Sequence, residues 1–79
     1  MKGVYEITIQ THECDYRLAV SVEYEWQSAM GVARWQVEQV DLVEVIDPPE
    51  DNTVPRRVAI ENVYAAEIFD AALDAITDP

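Results

Sequence analysis

The chain has one cysteine, one histidine, one phenylalanine, two glycines and five basic residues, and each scarcity closes a class of function. A lone Cys14 cannot form an internal disulfide, and with a lone His12 it cannot supply the four ligands of a structural zinc site. Such cysteine usage fits a reducing compartment. Two glycines, Gly3 and Gly31, exclude a glycine-rich nucleotide loop, and no G-x-S-x-G, H-E-x-x-H or EF-hand pattern occurs. The stretch "DPPEDNTVP" lacks the alternating oxygen ligands and central glycine of a calcium loop. No apolar run approaches the roughly 20 residues that cross a bilayer. Glu6, Thr8 and Gln10 interrupt any signal-peptide core in "MKGVYEITIQ". The expectation is a soluble, cytoplasmic protein with no membrane partner, no cofactor and no metal.

The shortage of bases is the strongest compositional feature. Sixteen acidic residues face five basic ones, for a net charge of −11. Residues 1–40 carry six acids and three bases, and residues 41–79 carry ten acids and two. That charge repels nucleic acid and favours a protein partner with a basic surface, including the DNA-binding face of another protein. Solubility alone is the plainer use of the same charge. With 49% apolar residues the chain can still bury a core, so the charge does not imply disorder. A chain of 79 residues is one domain, near the lower limit for a core without staples.

Alternation places two strands, at about 4–11 and 16–26. Tyr5, Ile7, Ile9 and Thr11 share one face of the first. Tyr16, Leu18, Val20, Val22, Tyr24 and Trp26 share one face of the second. With His12–Asp15 as a hairpin loop, Thr11 faces Tyr16, Ile9 faces Leu18 and Ile7 faces Val20, so every apolar residue lands on one side. A third strand, at about 32–46, follows a loop at Ser28–Gly31. That loop sets Tyr24 opposite Trp35 and Glu25 opposite Arg34. Past Val37 the alternation slips by one residue, which predicts a β-bulge near Glu38–Gln39. The slip then sets Val20 against Val40 and Leu18 against Leu42. Residues 47–55, with three prolines, read as a loop. "RRVAI" reads either as a fourth strand or as the start of a helix. The tail predicts a helix at about 63–77, capped by Asn62 and ended by Asp78–Pro79. Ala65, Ile68, Phe69, Ala72, Leu73 and Ile76 form its apolar stripe. The fold class is α+β: an antiparallel meander of three strands, or four, with one C-terminal helix on its apolar face.

Candidate sites follow from this frame. "THECDY" gathers His12, Glu13, Cys14 and Asp15, but a tight hairpin tip offers neither a cleft for a Cys–His nucleophile nor three well-placed metal ligands. It reads as a polar turn. Arg56 and Arg57 follow Glu50 and Asp51 and read as local charge partners. No nucleophile with its base is visible, and the chain is not expected to be an enzyme. The expected partner-binding residues are Glu67, Asp70 and Asp74 on one side of the helix with Asp78, Glu23 and Glu25 on the wet sheet face, and Trp26 and Trp35 near the second hairpin. Acids near a helix C-terminus oppose its dipole, so Asp74 and Asp78 do not serve folding. The two tryptophans pack in the core or, if exposed, anchor a contact.

Taken together, "VYEITIQ", the Trp-bearing second hairpin and the acidic, Ala-rich tail resemble small acidic accessory proteins of bacteriophages, including anti-CRISPR and anti-restriction inhibitors. The resemblance lies in overall character and carries over no functional residue. It implies an inhibitor of a host nucleic-acid-binding defence protein, acting in the host cytoplasm through carboxylates that mimic phosphates. The alternative is a structural or homodimerising subunit joined through a strand edge, "VYEITIQ" above all, or through the Trp patch.

Overall fold

A computed structural model describes residues 1–77. Asp78 and Pro79, expected to end the helix and extend its acidic side, lie outside the described residues. Three strands, β1 (Lys2–Gln10), β2 (Asp15–Ala29) and β3 (Val32–Asp47), form one antiparallel sheet in the order β1-β2-β3. A single 3-10 turn at Pro49–Asp51 leads into α1 (Val54–Val63) and α2 (Ala65–Thr77). The class is α+β, as expected, but among the described residues there are two helices rather than one and no fourth strand, residues 56–60 being helical.

Residues 54–63 form a helix because Thr53 caps it. Its Oγ1 accepts from the Arg56 amide at 3.4 Å, and Pro55 sits in the first turn, where a missing N–H costs nothing. Asn62 is therefore inside α1 and caps nothing. At Tyr64 the backbone leaves helical geometry (φ −112°, ψ 28°). Its N–H still reaches Ile60 O at 2.9 Å, and its own carbonyl accepts from Ile68 N at 2.9 Å. The two helices thus meet at a bend rather than a loop.

Alternation holds in both hairpins, but each register differs by two residues from expectation. In the first, Ile9 pairs with Tyr16, Ile7 with Leu18 and Tyr5 with Val20. Thr11 leaves the strand to make the turn. Its Oγ1 accepts from Glu13 N and Cys14 N, both at 3.1 Å, and donates to Cys14 O at 2.7 Å. In the second, the turn is two residues long. Met30 (φ 54°) and Gly31 (φ 80°) both have positive φ, the signature of a type I′ hairpin turn. Trp26 therefore pairs with Trp35, Tyr24 with Val37, Glu25 with Gln36, and Arg34 with Gln27. The expected Glu25–Arg34 pair is not formed. The bulge at Glu38 is present, with further register shifts at Val43 and Ile46. The two-residue displacement at the turn sets Val20 against Leu42, and with the shift at Val43 it sets Leu18 against Val45.

The core lies at one end of the sheet. Ile7, Ile9, Tyr16, Leu18, Val20, Val22 and Val45 meet Ile60, Tyr64, Ile68 and Ala72. α2 sits rolled from the expected stripe. Ala71, Ala75 and Ile76 pack beside Ile68 and Ala72, while Ala65 is exposed and Phe69 is 42% exposed. Alanines toward the sheet let the helix axis approach closely, and α1 already covers part of the face the stripe was expected to fill. β2 and β3 run on past β1, whose last pair is Lys2 with Glu23. Met1 adds one more link, its carbonyl accepting from Tyr24 N at 2.8 Å. The molecule is correspondingly long, 46 × 22 × 21 Å. Among the described residues no helix is long and apolar enough to cross a membrane.

Candidate functional site

Three groups of side chains stand out. At the turn that holds His12 and Cys14, Tyr16 is buried beneath a polar knot. Its hydroxyl lies 3.1 Å from Glu13 Oε2 and 3.3 Å from Asp51 Oδ2, and it accepts from Arg56 Nη2 at 3.2 Å. Arg56 also holds Asp51 at 3.3 Å, as its sequence neighbourhood implied. Arg57 turns instead to Asn52, donating to Oδ1 at 3.0 Å. Burial first, then the hydrogen bond to Glu13, pushes the Tyr16 hydroxyl well above the ordinary phenol range. The knot ties the first hairpin, the 3-10 turn and α1 together. Its adjacent cavity, lined by Glu13, Arg56, Ala59, Ile60, Val63 and Tyr64, holds about 60 Å³. Small-molecule sites usually start at roughly 300 Å³. His12 is exposed beside the Tyr64 ring, and Cys14 packs half-buried against the core. Among the described residues no three of His, Cys, Asp and Glu converge on a point where a metal could sit.

The second group is the acidic flank. Glu67, Asp70 and Asp74 are all exposed on α2 and line depressions between that helix and β1, with Glu6, Thr8, Gln10, Ala71 and Ala75. Only Glu6, Glu13 and Asp51 are in ion pairs among the described residues. The acids of α2 therefore present unneutralised charge along the open edge of β1. Glu23 and Glu25 are also exposed, but on the opposite face of the sheet, away from the helices. The expected acidic residues thus form two surfaces rather than one.

The third group is the hairpin arm, residues 25–36, where β2 and β3 pair without a third strand. Every residue from Glu25 to Arg34 is exposed. Trp26 is 55% exposed, and neither tryptophan belongs to the core. An edge-to-face chain of rings runs across the sheet toward the arm: Tyr5 to Tyr24 (6.3 Å), Tyr24 to Trp35 (5.2 Å), Trp35 to Trp26 (5.0 Å). Tyr5 and Tyr24 also share a hydroxyl hydrogen bond of 2.9 Å, which raises the Tyr5 pKa. Met30 in the turn is fully exposed, and Val32 is bare on the opposite face of the ribbon, where it pairs with Ala29. Only the lower half of this ladder touches the core, which is why the rings nearest the tip stay bare.

No family model matches the chain, and no curated protein or solved structure gives a match either. The site is accordingly read from its own chemistry. The features it offers are fixed carboxylates on two faces of the molecule and a bare aromatic arm.

Two features escaped the sequence reading. Val32, bare on the face opposite the rings, was not marked. Trp26 and Trp35 stood open between core and exposed contact, because they alternate as core residues do, and the extent of the bare arm was not marked. The signal that could have found it is charge: residues 26–37 form the longest stretch of the chain without a carboxylate.

Proposed function

We propose that the protein is a small, non-catalytic binding module that engages a protein partner with a basic surface. The observation that carries this reading is the imbalance of pairing. Sixteen acids are set against five bases, and of those bases Arg17 and Arg56 are tied to the chain's own carboxylates while Arg57 is tied to Asn52. The carboxylates of α2 and of the wet sheet face are left for something outside the chain. Asp74, in the C-terminal part of α2, also opposes the dipole of its own helix, whereas Glu67 sits in the first turn, where a carboxylate favours it. The sharper form of the reading is nucleic-acid mimicry. The carboxylates stand in for phosphates and occupy the site of a nucleic-acid-binding protein, as expected of a phage-type inhibitor of a host defence protein in the host cytoplasm. No direct contact with nucleic acid belongs to this reading, because like charges repel.

The test is capture from nuclease-treated lysate, with wild-type protein beside a variant carrying Glu67→Lys, Asp70→Lys and Asp74→Lys. The reading expects a basic nucleic-acid-binding protein that the wild type retains, that washes off as salt rises and that the variant does not hold. A partner held equally by both proteins and indifferent to salt contradicts it.

A further inference from the structure

We propose that the hairpin arm is a self-association surface through which two copies of this chain join about a two-fold axis. It rests on a different surface from the acidic flank and stands or falls separately.

The first argument is charge. Two chains of net charge −11 repel one another over most of their surface. Residues 26–37 contain no carboxylate and one arginine, Arg34, so the arm is where two copies approach with least repulsion. Glu25 and Glu38 bound that stretch, and Arg34 has no ion pair among the described residues. An antiparallel two-fold arrangement centred near Trp35 brings Arg34 of one copy toward the partner's Glu38. The complement to the lone positive charge of the arm is thus carried by the same segment.

The second argument is the strand edge. Where β3 runs beside α1, side chains cap its outward amides. Leu42 N donates to Glu61 Oε2 at 2.6 Å, and Val45 N donates to Asn52 Oδ1 at 3.0 Å. No such cap occurs along residues 32–39. An uncapped edge pairs readily with another strand, and antiparallel pairing of one strand with its own copy satisfies a two-fold axis.

The third argument is the side chains and the tip. Trp26, Val32 and Met30 are 55%, 62% and 101% exposed. Met30 occupies a positive-φ position that Asn, Asp or Gly fills at lower cost. Neither folding nor solubility favours a bare methionine there, whereas a contact between apolar arms does. Twelve residues per copy is about half the usual complement of a stable interface, so the dimer should be of micromolar strength.

Analytical ultracentrifugation across a concentration series, at low and high salt, tests this. The expected result is a concentration-dependent dimer that tightens with salt as the repulsion between copies is screened, the opposite of an acidic contact with a basic partner. Trp26→Ser together with Met30→Asn should weaken the dimer by about ten-fold or more with unchanged far-ultraviolet circular dichroism. Thr8→Lys, on the edge of β1, should leave it intact. A monomer at every concentration and salt overturns the proposal. So does a dimer that survives the arm variant, or one that Thr8→Lys dissolves, since the contact then lies at β1.

Discussion

One ladder, β2 with β3, runs the length of the molecule, and its two ends are built in opposite ways. At the end near the first turn, Leu18, Val20 and Val22 are wholly buried, β1 lies alongside, and two helices close the face. The edge of β3 is capped by Glu61 and Asn52, and the Tyr16 knot ties three elements together. At the other end the same two strands carry Trp26, Met30 and Val32 into solvent with nothing beside them. A bare two-stranded ribbon is marginal on its own, so the arm draws its order from the core end and contributes little in return. Folding free energy is therefore concentrated in one half. The other half is free to be shaped by what it meets.

Large-to-small substitutions in the two halves should separate them most. Leu18→Ala removes a fully buried side chain next to β1 and the helices. It should cost about 2–5 kcal/mol, enough to unfold much of a domain this small. Trp26→Ala, a larger truncation in the arm, should shift the urea midpoint by about 1 kcal/mol or less. Equal losses would show that the arm is part of the core.

The capped edge is the next point to break. Asn52→Ala and Glu61→Ala each strip a partner from an amide of β3, at a cost of about 1–3 kcal/mol each. Both should also increase aggregation, since they extend the uncapped edge from the arm into the core end. Light scattering alongside the denaturation curve reads both effects.

Alkaline pH should loosen the core end through Tyr16. The Tyr16 pKa is raised in the folded protein by burial and its bond to Glu13, so the unfolded chain gives up that proton first. The associated stability is complete below about pH 10 and declines as pH rises toward the folded-state value. Tyr16→Phe should flatten that decline while lowering stability at neutral pH, because Arg56 and Asp51 lose their shared partner. The smallest expected effect lies at the tip. Met30→Asn relieves the positive-φ position and should stabilise the hairpin by a few tenths to about 1 kcal/mol.

Much of the core end was legible in the sequence, and the reasons the rest was not are physical. Period-two alternation marks Tyr5–Ile9 and Tyr16–Val22, and the slip after Val37 marks the bulge at Glu38. Registers were displaced by two residues because an even shift preserves every face. Only turn chemistry separates the alternatives, namely the Thr11 hydroxyl in one hairpin and the Met30–Gly31 pair in the other. The first helix stood open against a fourth strand, and its start was missed because Pro55 reads as a loop residue until Thr53 is recognised as its cap. At the candidate site, Glu67, Asp70 and Asp74 were legible from helical spacing, but their separation from Glu23 and Glu25 depends on which layer each occupies. Trp26 and Trp35 carry the same alternation as the core, and their exposure follows from β1 ending its pairing at Glu23.

The central claim is that the acidic surface competes for a site built for nucleic acid. The most direct measurement is displacement. A captured basic partner is loaded with labelled nucleic acid, and the protein is titrated in while fluorescence anisotropy follows the label. The account predicts release of the nucleic acid by the wild type, suppressed by salt, and little release by the variant reversed at Glu67, Asp70 and Asp74. A ternary complex, in which the partner holds both the protein and its nucleic acid, would contradict it.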